Sequence, residues 1–537
     1  MRTGQALSIA LLVAALQNAS FAQQADSPAS KPRRPPTIAA VFSVKSYKAM
    51  RESISYLTTV AGQPEAIRML DMAIAAISGG HGLVGIDTDK PFGVALLSYG
   101  GQEAWPLVFI PISSQDKALQ LLHAIGPTIM RKFGPMPYKL SDSLFLMGPA
   151  LDHVDENNVP TPSRLINSNA SKFDIAFTVN VPEIPMAEVE ETFKKLDELV
   201  YHPSLPTSAA HRQGRALGAM LGKSLGRLVI TGASEVTLGL EVAPKRKRLA
   251  LEIALETRNA TELHRLVESL TRNPSHLAGL VDPAGLASCL LNIPLSPRAK
   301  RQLLDLMPSD GEVPALLTRV DGESDSTNQQ LLSLLRKTVE SGRLELAVSL
   351  RGNPPGPLTV VGSAVIANAK ALESFIVRQL QVDHNEKRLK FAREVTRFES
   401  AAIHSVSTPV PKEFEKYFGT NPKVHFAATS NMLHVAFGGL SLDSVRWALD
   451  RTGGTRRYSN RFAPFILQGR LQPWLALVSD PNVSDLRSKV TPSERISLVV
   501  TPASKSLSAR LELQEGLLRL IGAQAQSEAG LPFSSDQ

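Results

Sequence analysis

Val236-Thr-Leu-Gly-Leu-Glu-Val-Ala-Pro-Lys-Arg-Lys-Arg-Leu-Ala-Leu-Glu-Ile-Ala-Leu255 reads as an antiparallel hairpin. Val236, Leu238, Leu240 and Val242 alternate with polar or small residues, and Leu249, Leu251, Ile253 and Leu255 repeat the pattern after a basic turn. Every second side chain of a strand points to the same face, so the alternation predicts a sheet with one apolar, buried face. The chain then continues as an amphipathic helix. Asn259 with Glu262 three residues on has the form of an N-terminal cap, and Leu263, Leu266, Val267 and Leu270 form the inward stripe.

The same order of strand pair, polar cap and helix recurs along the chain. Leu344, Leu346, Val348 and Leu350 lead through Gly352-Asn-Pro-Pro-Gly-Pro357 to a strand ending near Ile366, after which Asn368 precedes a helix with Leu372, Phe375 and Ile376. Phe92–Ser98 and Trp105–Ile112 form an earlier pair, followed by Ser114 and a helix carrying Leu119, Leu121 and Leu122. Ile496, Leu498 and Val500 pair with Leu507, Ala509, Leu511 and Leu513 in a later one, before a helix with Leu517, Leu518 and Ile521. The helices start near 114, 259, 368 and 514, so the first two and the last two are almost equally spaced, which points to a duplication. Each half opens with a strand, Thr37–Val44 or Leu286–Ile293, followed by helices. In the first half these are 50–60 and 66–77, the second marked by Ile67, Leu70, Ile74 and Ile77. The expected fold is α+β in two related halves, about 37–280 and 284–522, each an antiparallel-rich sheet with helices packed mainly on one face.

Outside these halves the sequence changes character. Arg2, the apolar run Ala6–Leu16 and the small residues Ser20 and Ala22 follow the order of a cleavable signal peptide, residues 1–22, with the cut after Ala22. That run is too short for a hydrocarbon core of about 30 Å, which takes roughly 20 apolar residues, and no later stretch is long enough. The mature chain is therefore expected in the periplasm or outside the cell, without a transmembrane segment. Residues 23–36, with Lys31-Pro-Arg-Arg-Pro-Pro36, read as a linker, and 523–537 as a disordered tail. Export usually brings disulfides, yet Cys289 is the only cysteine, so packing must supply the stability. Leu286-Ala-Ser-Cys-Leu-Leu-Asn-Ile293 around it reads as a buried strand, which argues against a reactive thiol. The net charge of +8 is spread along 537 residues rather than gathered, unlike that of a nucleic-acid-binding protein. Its densest cluster is Lys245, Arg246, Lys247 and Arg248, read as a solvated turn, with contact to anionic envelope polymer or lipid headgroups as the sharper alternative.

Several segments imitate chemical motifs. Gly80-His-Gly-Leu-Val-Gly85 has the glycine spacing of a dinucleotide loop, but the helical stretch precedes it instead of following, so no helix N-terminus faces a pyrophosphate. Gly222-Lys-Ser-Leu-Gly226 has the spacing of a nucleophile elbow and is one position short of a P-loop, with Leu217 where glycine is needed. An elbow needs a strand before Ser224 and a helix after it. Here a helix is expected before it and a strand over 227–231 after it. Asp87 with Asp89, and Asp152-His-Val-Asp-Glu156, read as solvated turns rather than divalent-ion loops. The 11 histidines contain no zinc spacing, and His404, His425 and His434 fall in expected strands. Aromatic residues are scarce at 5%, and Trp447 is accounted for by helix packing, which disfavours a carbohydrate platform. No catalytic residue, metal or cofactor is assigned.

Gly79-Gly80 through Gly85-Ile-Asp87, followed by Lys90-Pro-Phe-Gly93 and a hairpin, resembles a group of large exported bacterial proteins frequent in planctomycetes. The resemblance is best over the first repeat. It rests on turn and packing residues and implies no activity, because none is assigned to that group. The expectation is an exported, non-enzymatic envelope or extracellular binding or scaffold protein, with a protein or anionic polymer as partner. The alternatives are an exported hydrolase whose site assembles from dispersed residues, and a carrier of an apolar ligand.

Overall fold

The computed structural model describes residues 36–152, 165, 170–184, 190, 226–305, 307, 325–475 and 490–528, apart from 99–103, 134–135, 141–142, 353, 355, 386–388, 408–409, 454–460 and 492–493. The chain divides into two compact units, Met1–His264 with Leu518–Gln537, and Arg265–Leu517. Both are α+β, built on antiparallel strands.

The first unit contains β1 (Thr37–Val44), β2 (Phe92–Ser98), β3 (Ala104–Pro111), β4 (Tyr138–Leu140), β5 (Leu144–Met147), β6 (Ile175–Asn180), β7 (Ala233–Ala243) and β8 (Arg248–Thr257). They pair in the order β4-β5-β3-β2-β1-β6-β7-β8, every neighbour antiparallel. After β1 come α1 (Tyr47–Val60) and α2 (Ala66–Ile77), and after β3 comes α3 (Gln115–Phe133). Ser46 caps α1 by accepting from the Ala49 amide at 3.0 Å. The expected span 66–77 is the observed one, because its apolar residues keep a period near 3.6. Val41, Ala95, Leu107 and Phe109 form the core on one sheet face, while Ile110 and Phe145 on the other meet Ala118 and Leu122 of α3.

The second unit contains β9 (Ala287–Pro294), β10 (Arg343–Arg351), β11 (Thr359–Val365), β12 (Lys390–Phe398), β13 (Ala401–Ser407), β14 (Lys423–Ala428), β15 (Met432–Gly438), β16 (Phe465–Arg470), β17 (Arg495–Pro502) and β18 (Ser506–Gln514). Their order is β12-β13-β14-β15-β11-β10-β9-β16-β17-β18, again antiparallel throughout. The principal helices from the end of the first unit onward are α4 (Glu262–Arg272), α5 (Asp325–Glu340), α6 (Ala369–Asn385), α7 (Ser441–Gly453) and α8 (Glu515–Glu528). Asn368 caps α6, its side-chain oxygen accepting from the Ala371 amide at 3.1 Å.

Four local expectations need correction. Helices pack on both sheet faces of the second unit. Val445, Ala448 and Leu449 of α7 join Ala427 in one core, whereas Val377 of α6 meets Phe426 from the opposite side. The reason is that β14, Lys-Val-His-Phe-Ala-Ala, places apolar residues on both its faces. The α4 cap is Thr261, whose hydroxyl accepts from the His264 amide at 3.2 Å, and not Asn259. Residues 226–232 are helical rather than extended, and Leu228, Val229 and Ile230 pack against Ala233 and Leu263. A short continuous apolar run suits a buried helix as well as a strand. Finally, α8 reaches Glu528, past the point at 523 where the tail was expected to begin.

Candidate functional site

Which face of the β7–β8 hairpin is covered decides what the hairpin offers. Its inner face carries Thr237 and Gly239 on β7 with Ala250 and Ala254 on β8, in the register Thr237↔Ala254. Thr237 shares a hydrogen bond of 3.1 Å with Thr178 of β6, both buried. Gly239 is required here, because a Cβ would stand 2.3 Å from the Phe173 ring that seals this face. The large apolar side chains point the other way. Phe177, Leu238 and Ile253 line up in one row across β6, β7 and β8, and Ile175, Leu240 and Leu251 in the next. Phe177, Leu238, Leu251 and Ile253 remain between 39% and 47% exposed. The middle of the alternation expected to face the core is thus uncovered, while at its ends Val242 is buried and Val236 and Leu255 pack beside Ala233 and Leu263.

The second unit shows the same feature. Val348, Cys289, Leu467, Leu498 and Leu511 form one continuous row over five strands, about 20 Å wide at the usual strand spacing of about 4.8 Å, and Gly362 and Val435 carry the row on to Phe426, where α6 covers the face. Val348, Val435 and Leu467 in this row are exposed, as are Leu344, Leu346, Ile293 and Ile496 beside it. The lone cysteine therefore lies in a strand, as expected, but half-buried on an open face, where burial pushes its thiol pKa up.

The basic cluster closes the β7–β8 hairpin. Pro244–Arg246 form a single 3₁₀ turn and Lys247 adopts the left-handed conformation, φ 52°, that reverses the chain. Lys245, Arg246 and Lys247 are exposed. Arg248, the first residue of β8, instead reaches back to Glu241 at 3.3 Å. Three cations thus stand at the end of the apolar strip.

A half-open pocket of about 320 Å³ lies in the first unit, lined by Ile38, Ala40, Leu165, Thr178, Asn180, Glu235 and Glu256 among others. Glu235 and Glu256 face each other across β7 and β8. Two carboxylates and an amide share its wall with Ile38, Val41 and Leu165, so the lining is mixed, unlike the continuous apolar cavity of a carrier.

Hydroxyl, imidazole and carboxylate groups do converge, but inside the covered faces. Ser363 Oγ lies 2.7 Å from His434 Nδ1 and Ser441 Oγ 2.8 Å from His425 Nδ1, all four residues buried. Burial lowers the His434 pKa to about 4 and, with Lys423, lowers that of His425. Glu345 has a fully buried carboxylate that accepts from Ser275 Oγ at 2.6 Å and the Leu277 amide at 2.8 Å, with His276 Nδ1 at 3.1 Å and Arg343 at 2.9 Å. Burial opposes its ionisation, yet the hydrogen bonds from His276 and Ser275 and the Arg343 charge prevail and hold its pKa below the usual range. In a catalytic triad the imidazole stands between hydroxyl and acid. Here the acid stands between them, so the cluster fastens the 273–281 loop to β10 rather than activating Ser275.

The motif-like segments fall as follows. Gly79, Gly80, Gly82 and Gly85 all have positive φ and lead from α2 into the isolated bridge at Ile86 and then β2, so no helix follows them. Gly85 packs so closely on the first turn of α3 that a Cβ would stand 2.4 Å from the Ala118 amide. Ser224 lies outside the described residues, as do His153, Asp155 and Glu156, but the helix at 226–232 follows the Gly222–Gly226 segment, contrary to the expected strand. Asp87 accepts from the Asp89 amide and pairs with Lys90 at 3.0 Å, and this hydrogen bond holds its carboxyl below the usual pKa. Trp447 on α7 stacks under Arg351, 4.0 Å from the ring centre. Among the described residues no group of three or more His, Cys, Asp or Glu is placed to hold a metal ion, and no helix is long and apolar enough to cross a membrane.

The arrangement defines an antiparallel α+β protein with open apolar sheet faces. No family model, curated protein or solved structure matches the chain.

Proposed function

We propose that this is an exported, non-enzymatic envelope or extracellular binding protein, and that the open apolar sheet faces are its working surfaces. The observation that carries the reading is the inversion of the β6–β8 segment, which spends threonine, glycine and alanine inside and phenylalanine, leucine and isoleucine outside. Burying such a side chain fully is worth about 1.5–3 kcal/mol. At roughly half exposure, each offers a covering partner on the order of 1 kcal/mol. Contiguous exposed apolar area of this kind marks interaction surfaces in folded proteins.

The matching strand order of the two units supports reading them as a duplication, with one such surface in each. With β12 and β13 set aside, β14-β15-β11-β10-β9-β16-β17-β18 follows the same path as β4-β5-β3-β2-β1-β6-β7-β8, and α3 and α6 occupy the same step of it. The β12–β13 hairpin is then an insertion in the second half.

The test uses the mature chain, residues 23–537, titrated with Nile red, a neutral apolar dye. Folded wild type should bind it with enhanced fluorescence, and Leu238→Asn with Ile253→Asn should weaken binding several-fold. Val84→Asn, at another exposed apolar position, should not. Equal binding by all variants would remove the open face from the account. In parallel, an ester, peptide and glycoside panel should show no turnover. Turnover that disappears in Ser224→Ala would establish the hydrolase alternative instead. Export itself is checked by fractionating cells and measuring the mass of the mature chain, expected to begin at Gln23.

A further inference from the structure

We infer that the open face of the second unit holds a lipid by its acyl chain, laid along β16 and β9 from Trp474 toward Ile293. The inference rests on the open-face reading above and names the occupant. The face is the outer side of β10, β9, β16, β17 and β18, every second residue over 344–350, 287–293, 465–469, 496–502 and 507–513. No position in that set carries a charge, a hydroxyl or an amide, and the Cys289 thiol is its one side-chain heteroatom. None of them is buried. The charged residues of the same strands, among them Arg343 and Glu345 of β10, Arg495 of β17 and Arg510 and Glu512 of β18, alternate onto the opposite side.

The strip has a marked end and a side wall. Trp474, 42% exposed, stands beside Gly469, where a Cβ would lie 3.9 Å from the indole nitrogen, and that nitrogen donates to the Leu286 carbonyl at 3.3 Å. A tryptophan with its N–H satisfied and its ring half in water suits the boundary between hydrocarbon and headgroup. Along one side α5 and α6 take over the cover, with Ala364 of β11 packed against the cluster of Leu334 and Leu372. Gly469 pairs with Ala287, and the six residues from there to Ile293 span about 20 Å at about 3.4 Å per residue. One leaflet of a membrane's hydrocarbon is about 15 Å deep, so the strip is long enough for one chain.

Size and composition favour this occupant over a second copy of the protein. Five strands over that length offer on the order of 400 Å², half of the roughly 800 Å² per partner of a standard protein interface. Such an interface also carries about one hydrogen bond per 100–200 Å², so a protein partner would need about two to four on this area. The face offers a thiol alone, because β9, β10, β16 and β17 have strand neighbours on both sides and their backbone groups are committed within the sheet. Hydrocarbon makes no such demand.

The experiment titrates the mature chain with lysophosphatidylcholines of 10, 12 and 14 carbons, each below its micelle concentration. Half-burial of each methylene predicts that affinity rises about fourfold per two carbons. Glycerophosphocholine, the head alone, should not compete. Leu346→Asn with Leu467→Asn should weaken binding at least tenfold, and Val84→Asn should leave it unchanged. Chains brominated beside the ester should quench tryptophan fluorescence more than chains brominated at the tip, and Trp474→Phe should remove that quenching. Circular dichroism and thermal melts establish that each variant is folded, and the substituted side chains are all exposed. Affinity independent of chain length, stronger quenching from the tip, or indifference to the Leu346 and Leu467 pair overturns this inference. If Nile red is still weakened by Leu238→Asn with Ile253→Asn, the open-face reading stands. Nile red bound equally by wild type and both pair variants overturns both. Binding to phosphatidylcholine vesicles without binding of the monomeric lipid, or a wild-type dimer in sedimentation that Leu346→Asn with Leu467→Asn dissociates, also overturns it, in favour of a membrane surface or a second copy.

Discussion

His434 is sealed on the sheet face that α7 covers, and its Nε2 has no hydrogen-bond partner among the described residues. Such a side chain tolerates the folded state only while neutral. Unfolded, an imidazole takes up a proton near its ordinary 6.5, whereas in the folded chain burial delays uptake to about 4. Stability is therefore complete above about pH 6.5 and is lost progressively as pH falls toward 4, by about 3 kcal/mol over the whole window. Urea unfolding at pH 7, 5.5 and 4.5 should show this decline, and His434→Asn should flatten it. A decline confined to pH below about 4.5 would instead point to Glu345 and Glu373, whose pKa values are held below the ordinary carboxylate range. Glu345→Ala should cost about 3 kcal/mol, because it removes the carboxylate facing the half-buried Arg343 and the acceptor of the Ser275 hydroxyl and the Leu277 amide. A loss below 1 kcal/mol on denaturant titration would mean that Arg343 is solvated after all.

At the scale of elements, period was legible and direction was not. Ile67, Leu70 and Ile74 mark α2 to the residue, and the strand alternations at 236–242, 249–255, 344–350 and 496–500 all fall inside observed strands. Alternation states only that two faces differ, and the covered face is settled by distant residues such as Phe173, so the pattern points the apolar side of β7 and β8 inward, whereas Leu238, Leu251 and Ile253 lie outward. The same distance hid the Ser363–His434 and Ser441–His425 pairs, whose members are not local in sequence. Capping was misplaced for a local reason. Asn259 is the better cap by residue type, but Ala260 takes a left-handed φ of 62°, which delays the helix until the Thr261 hydroxyl can meet the His264 amide. Thr261→Ala should therefore cost about 1 kcal/mol by thermal denaturation, and Asn259→Ala only a few tenths. The reverse ranking would restore Asn259 as the cap.

For the molecule as a whole, the shared strand path of the two halves carries a quantitative consequence. If each half uses the open side of its own sheet, the mature chain should bind an apolar dye at two separable sets of sites, one centred on Leu238 and Ile253, the other on Leu346 and Leu467, all exposed. Leu238→Asn with Ile253→Asn should then remove one set and leave the other at its original affinity, and Leu346→Asn with Leu467→Asn should do the converse. The fourfold variant should lose both. If the two sets are independent their energies add, and the two pair variants should then sum to the fourfold within about 0.5 kcal/mol. Abolition of all dye binding by either pair alone would refute two independent surfaces, and with it the idea that duplication of the fold duplicated the function.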